Sequence, residues 1–193
     1  NQIEEANAMS LSTLGVDGFP KARVVLLKDF SEAGFVFYTN YNSEKGQALT
    51  NNPNVGLTFF WPSLERQVII KGVAEKEAPS VSETYFHSRP RGSQLGALVS
   101  PQSEVIPDRK FLEDRLTAIE EQFKDIEIPM PNHWGGIIVK PKEIEFWQGR
   151  PNRLHDRIRC QLIDSSECKN NMYRTLQQHY LSGDRFFGSL SRT

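Results

Sequence analysis

The sequence predicts a mostly β fold with helices packed outside it, an antiparallel barrel or sandwich of the α+β class. Strand-like stretches fill the first half of the chain, helical stretches follow, and a strand pattern returns near residue 135. Because strands and helices do not alternate along the chain, a doubly wound parallel sheet is disfavoured. The length of 193 residues suits one domain with a sizeable core.

Four stretches of the first half have the composition or the alternation of β-strands. Residues 22–30 are β-branched and apolar, and residues 34–40 follow after a short turn, so the pair predicts a hairpin. In residues 54–61, large apolar side chains alternate with a different set of side chains, so the two faces of the segment differ. A period of two residues is typical of a β-strand. Residues 66–77 predict a fourth, long strand.

The helical stretches lie between and after these strands. Residues 43–53 begin with a Ser cap and end at a Pro, which predicts a short helix. Residues 80–90 and 93–100 predict two more short helices. Residues 108–124 predict the clearest helix, because apolar side chains recur on one face at spacings of four, three and four. Residues 135–149 then predict the last strand.

The end of the chain is polar and weakly patterned. We therefore divide the chain into a β-rich domain over residues 1–159 and a divergent tail over residues 160–193. Within the tail, residues 170–181 predict a short helix.

Charge and composition exclude several classes of function. The net charge of −1 provides no global basic field, so nucleic-acid binding is not predicted and any anion site must be local. No apolar run approaches the roughly 20 residues that cross a bilayer, and the first residues lack the pattern of a secretory signal. The 2 cysteines suit a reducing compartment and predict a cytoplasmic protein.

Two charged side chains bracket the apolar stretch 24–27. Arg23 and Lys28 are five residues apart, so in an extended strand they point to opposite faces of the sheet. The two charges therefore act on different sides of the sheet or bind two different ligands. The alternative is that they are flanking charges that only keep the strand soluble.

A second polar group follows a spacing of four. Tyr85, Arg89 and Ser93 would share one helical face, although Pro90 must bend or end the helix between them. All three donate hydrogen bonds to an oxyanion, and the Arg fork matches phosphate. The alternative is a solvated helix end.

The strongest local signal is the segment 146–157, FWQGRPNRLHDR. The Trp147 indole can pack against the face of a planar ligand ring, and the guanidinium groups of Arg153 and Arg157 can stack on such a ring. His155 lies between the two arginines. The alternative is a core Trp beside a solvated basic loop.

The motifs for dinucleotides, for P-loop phosphates, for the nucleophile elbow and for metal clusters are absent from the sequence. Phosphate donors and aromatic side chains recur instead. This combination predicts a phosphorylated, aromatic small-molecule ligand, or two of them.

Six stretches of the chain together are highly specific for one family. They are RVVLLK (23–28), FYTNYNSEKG (37–46), ERQVIIKG (65–72), YFHSRPRGSQLGALVSPQS (85–103), WGG (134–136) and EFWQGRPNRLHDR (145–157). In this order and spacing the chain resembles the pyridoxine (pyridoxamine) 5′-phosphate oxidases. The resemblance implies a homodimeric FMN-binding split β-barrel that oxidises pyridoxamine or pyridoxine 5′-phosphate to pyridoxal 5′-phosphate, with oxygen as acceptor and hydrogen peroxide as product.

The resemblance also implies roles for particular residues. The residues implied to bind FMN are Arg23, Val24, Val25, Leu26, Leu27, Lys28, Tyr38, Thr39, Lys45, Gln67, Gln102, Ser103, Trp147 and Arg157. Those implied to bind the substrate are Lys28, Tyr85, Arg89, Ser93, Arg153, Leu154 and His155. Arg153 and His155 would lie nearest the reacting carbon and are the expected catalytic residues.

The chain departs from the family pattern at three places. We expect the family's segment before EANAM to be missing, Glu44 stands where the family usually has Arg, and residues 160–193 do not match the family's closing strand. Two other functions therefore stay open: a flavin- or pyridoxal-phosphate-binding protein without turnover, and a split-barrel oxidoreductase for another substrate. The substrate-binding set argues against the latter.

Overall fold

The structure, a computed structural model, describes residues 4–164 and 167–172. Its strands are β1 (Ala8–Leu14), β2 (Pro20–Leu26), β3 (Asp29–Ser31), β4 (Gly34–Asn40), β5 (Asn54–Trp61), β6 (Arg66–Lys76), β7 (Trp134–Gln148), β8 (Asp156–Asp164) and β9 (Glu167–Met172). Its α-helices are α1 (Glu44–Asn51), α2 (Pro79–Ser88), α3 (Arg91–Val99) and α4 (Arg109–Gln122). Single 3₁₀ turns occupy Pro62–Leu64 and Pro151–Arg153.

All strands belong to one antiparallel sheet in the order β2-β1-β5-β6-β7-β4-β3. The long strand β7 bends this sheet into a curled half-barrel. One edge of β7 pairs with β6 along nearly its whole length, with a register shift at Lys71/Gly72. Its other edge pairs first with β4 and then, from Glu143 onward, with β8, which pairs with β9. The predicted antiparallel class with helices packed outside is confirmed.

Two hydrophobic clusters hold the fold together. The larger one lies inside the curled sheet, where the alternate residues of β5 (Val55, Leu57, Phe59 and Trp61) are at most 6% exposed. The smaller one lies under the helices, around Phe86, Leu95, Ile128 and Trp134. The apolar stripe of α4 packs against this second cluster through Leu116, Ile119 and Phe123.

Three expectations about the strands and the tail need correction. First, β1 was not predicted, although its buried Met9, Leu11 and Thr13 alternate with other residues. Second, the predicted hairpin of 22–30 with 34–40 is wrong over most of its length. The strand breaks after Leu26, β2 pairs with β1, and only the short β3 pairs with β4.

Third, the helix predicted over 170–181 is wrong at residues 170–172, which belong to β9. Residues 173–181 lie outside the described residues. Strand β8 runs from Asp156 to Asp164 and so continues through the predicted boundary at residue 159.

Candidate active site

A basic cavity of about 310 Å³ opens where the end of β2, the end of β4 and the helices α1 and α2 meet. Cationic, hydroxyl and aromatic side chains face the same space. The lining residues are Val24, Val25, Leu26, Lys28, Tyr38, Thr39, Asn40, Lys45, Tyr85, Arg89, Gln102 and Trp134. Ten of these twelve were predicted from the sequence, and Asn40 and Trp134 were not.

The turn from β4 into α1 places Lys45 in this cavity. The fully buried Ser43 caps α1, because its hydroxyl accepts a hydrogen bond from the backbone N–H of Gly46. Lys45 lies in the first turn of the helix, and its ammonium group lies 3.5 Å from the Ser43 hydroxyl. Glu44, the departure from the family pattern, points away and forms a 2.6 Å ion pair with the exposed Lys21.

Pro90 separates α2 from α3, as the sequence indicated, and a second cavity lies beside this break. Tyr85 lies on α2, Arg89 caps its end, and Ser93 lies on α3. Arg89 and Ser93 line an adjoining cavity of about 300 Å³, which shares Asn40, Arg89, Gln102 and Trp134 with the basic cavity. Arg89 therefore stands between the two spaces.

Three nearly parallel aromatic rings form one wall of the basic cavity. The Tyr38 ring stacks on Tyr85 at a centroid distance of 3.8 Å and on Trp134 at 5.3 Å. The guanidinium group of Arg89 lies over the Trp134 ring at 4.6 Å. Gly136 makes the close packing possible, because a Cβ atom there would lie 3.1 Å from the Tyr38 ring and 2.8 Å from the Glu77 side chain.

The charged forms of the cations in this region are destabilised, and a bound anion would offset this destabilisation. Partial burial lowers the pKa of Lys45, and repulsion by Arg23 lowers it further, while Glu44 opposes both. Burial also lowers the pKa of Arg89 and that of Arg23. Nη1 of Arg89 is buried and has no hydrogen-bond partner within the described part of the chain. Such an orphaned donor indicates a missing acceptor.

The phenol of Tyr38 remains a donor at neutral pH. Burial, together with the neighbouring Tyr85 and Glu77, raises the pKa of Tyr38 to about 12. Tyr38 therefore does not act as an anionic base in this cavity at neutral pH.

A second group of predicted residues lies outside both cavities, on the long strands. Gln67 of β6 pairs in register with Trp147 of β7, and Trp147 pairs with Arg157 of β8. The three side chains thus form one row across three strands. The Arg157 guanidinium lies 3.5 Å from the carboxylate of Glu145.

The segment between β7 and β8 carries Arg153, Leu154 and His155. Asn152 and Arg153 both adopt left-handed backbone conformations, with φ of 58° and 60°, so the turn is tight and strained. The backbone N–H of Arg150 donates to Nδ1 of His155 at 3.1 Å, and the His155 ring lies 4.9 Å from that of Trp147. Because a backbone N–H can only donate, Nδ1 is the acceptor, and Nε2 carries the proton of the neutral ring.

The remaining predicted residues lie close to the basic cavity without lining it. Arg23 donates to the Thr13 hydroxyl at 2.7 Å, Leu27 is buried in the core, and Ser103 adopts a left-handed φ of 72°. The sequence signal for Trp134 was the WGG stretch, and the signal for Asn40 was its place directly after Tyr38 and Thr39. Among residues 4–164 and 167–172, no group of His, Cys, Asp and Glu could hold a metal ion, and no helix is long and apolar enough to cross a membrane.

Solved structures with the same architecture define the class of protein. PhzG from Burkholderia lata 383, solved in complex with tetrahydrophenazine-1-carboxylic acid, has a TM-score of 0.82 and 25% identity, over 90% of this chain and 84% of that one. A pyridoxamine 5′-phosphate oxidase-related, FMN-binding protein from Nostoc punctiforme has a TM-score of 0.70 at 14% identity, over 88% of each chain. The fold is therefore the split barrel of these proteins.

Sequence comparison narrows this class to one family. Residues 1–123 match the family described as pyridoxamine 5′-phosphate oxidase, and residues 134–174 match the pyridoxine 5′-phosphate oxidase C-terminal dimerisation region. The chain belongs to the pyridoxamine 5′-phosphate oxidase family.

Close relatives agree with this assignment. The pyridoxine/pyridoxamine 5′-phosphate oxidase of Flavobacterium johnsoniae is 65% identical over 155 residues, which are 80% of this chain and 72% of that protein. The protein of the same name from Synechocystis sp. is 57% identical over 163 residues, which are 84% of this chain and 76% of that protein.

Proposed function

We propose that this chain is an FMN-dependent oxidase that converts pyridoxamine 5′-phosphate or pyridoxine 5′-phosphate to pyridoxal 5′-phosphate. The observation that carries the proposal is the basic cavity, in which the partly buried cations Lys45 and Arg89 meet an aromatic wall. Nη1 of Arg89, a buried donor, has no acceptor in the part of the chain that the structure describes. Such a site suits a ligand that is both phosphorylated and aromatic. Membership of the oxidase family identifies that ligand class.

The donor set fits the 5′-phosphate of FMN. Lys45 lies in the first turn of α1, where the N-terminal end of the helix favours an anion, and Arg23 adds a second positive charge nearby. Thr39 and Gln102 provide neutral hydrogen-bonding groups. An anionic phosphate would relieve the repulsion between Lys45 and Arg23.

A separate set fits the phosphate of the substrate. Tyr85 and Arg89 line the basic cavity beside Lys28, and Ser93 lies on the far side of Arg89. Nη1 of Arg89 has no partner among residues 4–164 and 167–172, which supports its assignment to a phosphate oxygen.

We propose that a second copy of the chain completes the site. Trp147, Arg153, Leu154, His155 and Arg157 line neither cavity, and all five lie in the dimerisation region 134–174. The cavity is also flanked by exposed apolar side chains, since Val24 is 71% exposed and Leu26 is 37% exposed. A homodimer would cover this apolar surface and bring the C-terminal residues of one copy to the cavity of the other.

In this assembly the protein would supply orientation and electrostatics. FMN, when bound, would supply the redox chemistry, as acceptor of a hydride from the substrate carbon that bears the amine or alcohol, with oxygen as final acceptor and hydrogen peroxide as product. Arg153 and His155 would hold the substrate ring. Since Nδ1 of His155 accepts from the Arg150 backbone, Nε2 would be the ring nitrogen available to the substrate. Neither side chain is assigned as an obligatory base.

We place the reaction in the cytoplasm, because the 2 cysteines suit a reducing compartment. Fractionation of the source cells, followed by detection of the chain, tests this placement. Recovery in an exported fraction would contradict it.

One assay tests the proposed function as a whole. The purified chain is examined for the absorption spectrum of bound flavin, then mixed with pyridoxamine 5′-phosphate under air while peroxide and pyridoxal 5′-phosphate are measured. We expect bound flavin and equal amounts of both products. Flavin without products would indicate a binding protein without turnover, and the absence of flavin binding would refute the proposal.

A further inference from the structure

A ladder of charged side chains crosses β6, β7 and β8 on the face that also carries Trp147. Glu143 and Glu145 alternate with Trp147 along β7, so the three side chains share one face. Glu143 pairs with Lys71 of β6 at 2.9 Å and with Arg159 of β8 at 3.6 Å. The ladder therefore extends towards the row that contains Arg157.

Glu145 is the member of this ladder that contacts Arg157. Its side chain is only 14% exposed, and its two oxygens are divided between two arginines. Oε2 accepts from Nη2 of Arg159 at 3.0 Å, while Oε1 lies 3.5 Å from Nε of Arg157. Register explains the division, because Glu145 stands opposite Arg159 and diagonal to Arg157, which stands opposite Trp147.

We propose that Glu145 is a positioning residue, which holds the Arg157 guanidinium beside Trp147 for FMN binding. The proposal rests on the proposed function and on the family resemblance, which implies that Arg157 binds FMN. The Arg157 side chain is long and 57% exposed, so a fixed partner reduces the entropy that it loses on binding. Arg159 on the other oxygen keeps Glu145 from rotating away.

The charge balance of the ladder supports this role. The ion pairs that the described residues form in this cluster join three cations (Lys71, Arg157 and Arg159) to two carboxylates. Since Glu143 and Glu145 both contact Arg159, the guanidinium of Arg157 keeps hydrogen-bonding capacity for another acceptor.

The chain offers a matched control for the test. Glu145→Gln keeps the shape of the side chain and removes its charge, and Glu143→Gln does the same two residues away. Both carboxylates are 14% exposed and both pair with Arg159, but the ion pair to Arg157 belongs to Glu145. FMN affinity is measured by titrating dimeric apoprotein and following the quenching of flavin fluorescence.

We expect Glu145→Gln to weaken FMN binding about three- to tenfold, and Glu143→Gln to change it by less than about twofold. The decisive readout is the double-mutant cycle. In an Arg157→Ala background, Glu145→Gln should have no further effect on FMN affinity, because the group that it positions is gone.

Two results would overturn the proposal. One is an equal loss of affinity from Glu145→Gln with and without Arg157, or an equal loss from Glu143→Gln, because either result would mean that the ladder acts only through sheet stability. The other is an unchanged FMN affinity of Arg157→Ala, which would remove Arg157 from the cofactor site. Failure of the proposed function looks different, because the unaltered chain would then not bind FMN.

Discussion

At the scale of single residues, Arg89 is the most informative side chain of the site. It stands between two cavities, lies over the Trp134 ring and has one buried nitrogen without an acceptor among the described residues. A buried, unsatisfied charged donor is costly, and it persists in a protein when a ligand completes it. Arg89 is therefore the residue at which the two proposed phosphate sites can be separated by experiment.

Arg89→Ala should weaken the binding of pyridoxine 5′-phosphate about tenfold to a hundredfold, because a lost charge-assisted hydrogen bond costs about 1.5–3 kcal/mol. FMN should stay bound, since its phosphate is assigned to Lys45 and Arg23. Arg91→Ala is the matched control, because Arg91 donates to backbone carbonyls of Phe123 and Ile126 and lines neither cavity. Substrate and FMN titrations of both variants check this, and loss of FMN with retained substrate affinity would reverse the assignment.

Glu44 is the second residue with a testable role, because it replaces the Arg that the family pattern usually has. Its side chain is 52% exposed and pairs with Lys21, so it faces solvent and not the cavity. Glu44→Arg should therefore tighten FMN by less than about tenfold, which corresponds to about 1.4 kcal/mol.

FMN titrations of the chain and of Glu44→Arg, each at low and moderate salt, measure this effect. Screening should reduce the gain as the salt concentration rises. A gain much larger than tenfold would show that residue 44 reaches the cofactor.

At the scale of elements, the start of β7 is held by close packing. A Cβ atom at Gly135 would lie 2.2 Å from the Tyr41 hydroxyl and 3.1 Å from that of Ser82, while one at Gly92 in α3 would meet nothing within 4 Å. Gly135→Ala should therefore destabilise the protein by about 1–3 kcal/mol through overpacking. Gly92→Ala, the control, should be neutral or stabilise it by up to about 1 kcal/mol.

Urea unfolding of the two glycine variants decides this prediction. The midpoint of Gly135→Ala should fall while that of Gly92→Ala holds or rises. Equal midpoints would mean that Tyr41 moves aside without cost.

The charge ladder makes the sheet sensitive to acid. The hydrogen bond from Lys71 lowers the pKa of Glu143 below its ordinary value of 4.5, with smaller contributions from Gln161 and Arg159 and an opposing one from burial. A carboxyl with a depressed folded-state pKa stabilises the fold above its unfolded pKa, and this contribution is lost as the pH falls through the folded value. Glu143→Gln should therefore be less stable than the unaltered chain at pH 7, with a difference that shrinks below pH 4.5.

The test is to measure the unfolding midpoints of the unaltered chain and of Glu143→Gln from pH 7 down to the lowest pH at which both proteins fold. The difference between the midpoints should become smaller as the pH falls. A difference that stays constant over the whole range would show that Glu143 contributes by packing and not by charge.

At the scale of the whole molecule, the candidate site is divided between two parts of the chain. The N-terminal part forms the cavities together with Trp134, and the dimerisation region carries Trp147, Arg157 and the strained turn at Arg153. If a second copy joins the two, FMN retention should follow the concentration of dimer.

Serial dilution should release FMN near the dimer dissociation constant, as followed by flavin fluorescence and by the mass of the particle. Added FMN should in turn shift the dissociation to lower protein concentration, because a ligand that binds only the dimer stabilises it. A monomer that keeps stoichiometric FMN would rule out a site shared between copies.

The sequence by itself determined the features that depend on neighbours along the chain. The alternation in residues 54–61, the stripe on α4, the Ser43 cap and the break at Pro90 are local patterns, and the structure confirms each of them. The six stretches that resemble the oxidase family also identified that family, because residue types and their spacing can be read directly from the sequence.

Only the tertiary structure decided which strands pair and which side chains meet. Residues 24–26 are apolar whichever strand lies beside them, so the pairing of β2 with β1 instead of β4 depends on burial summed over the whole sheet. Trp134 became part of the site because β7 passes under Tyr38 and Arg89, which lie far from it in sequence. In the same way, the ion pair between Glu145 and Arg157 could be identified only from the register of β8 on β7. The physical reason is that the energies that select such contacts act between separate segments of the chain, whose pairing cannot be read from the order of residues.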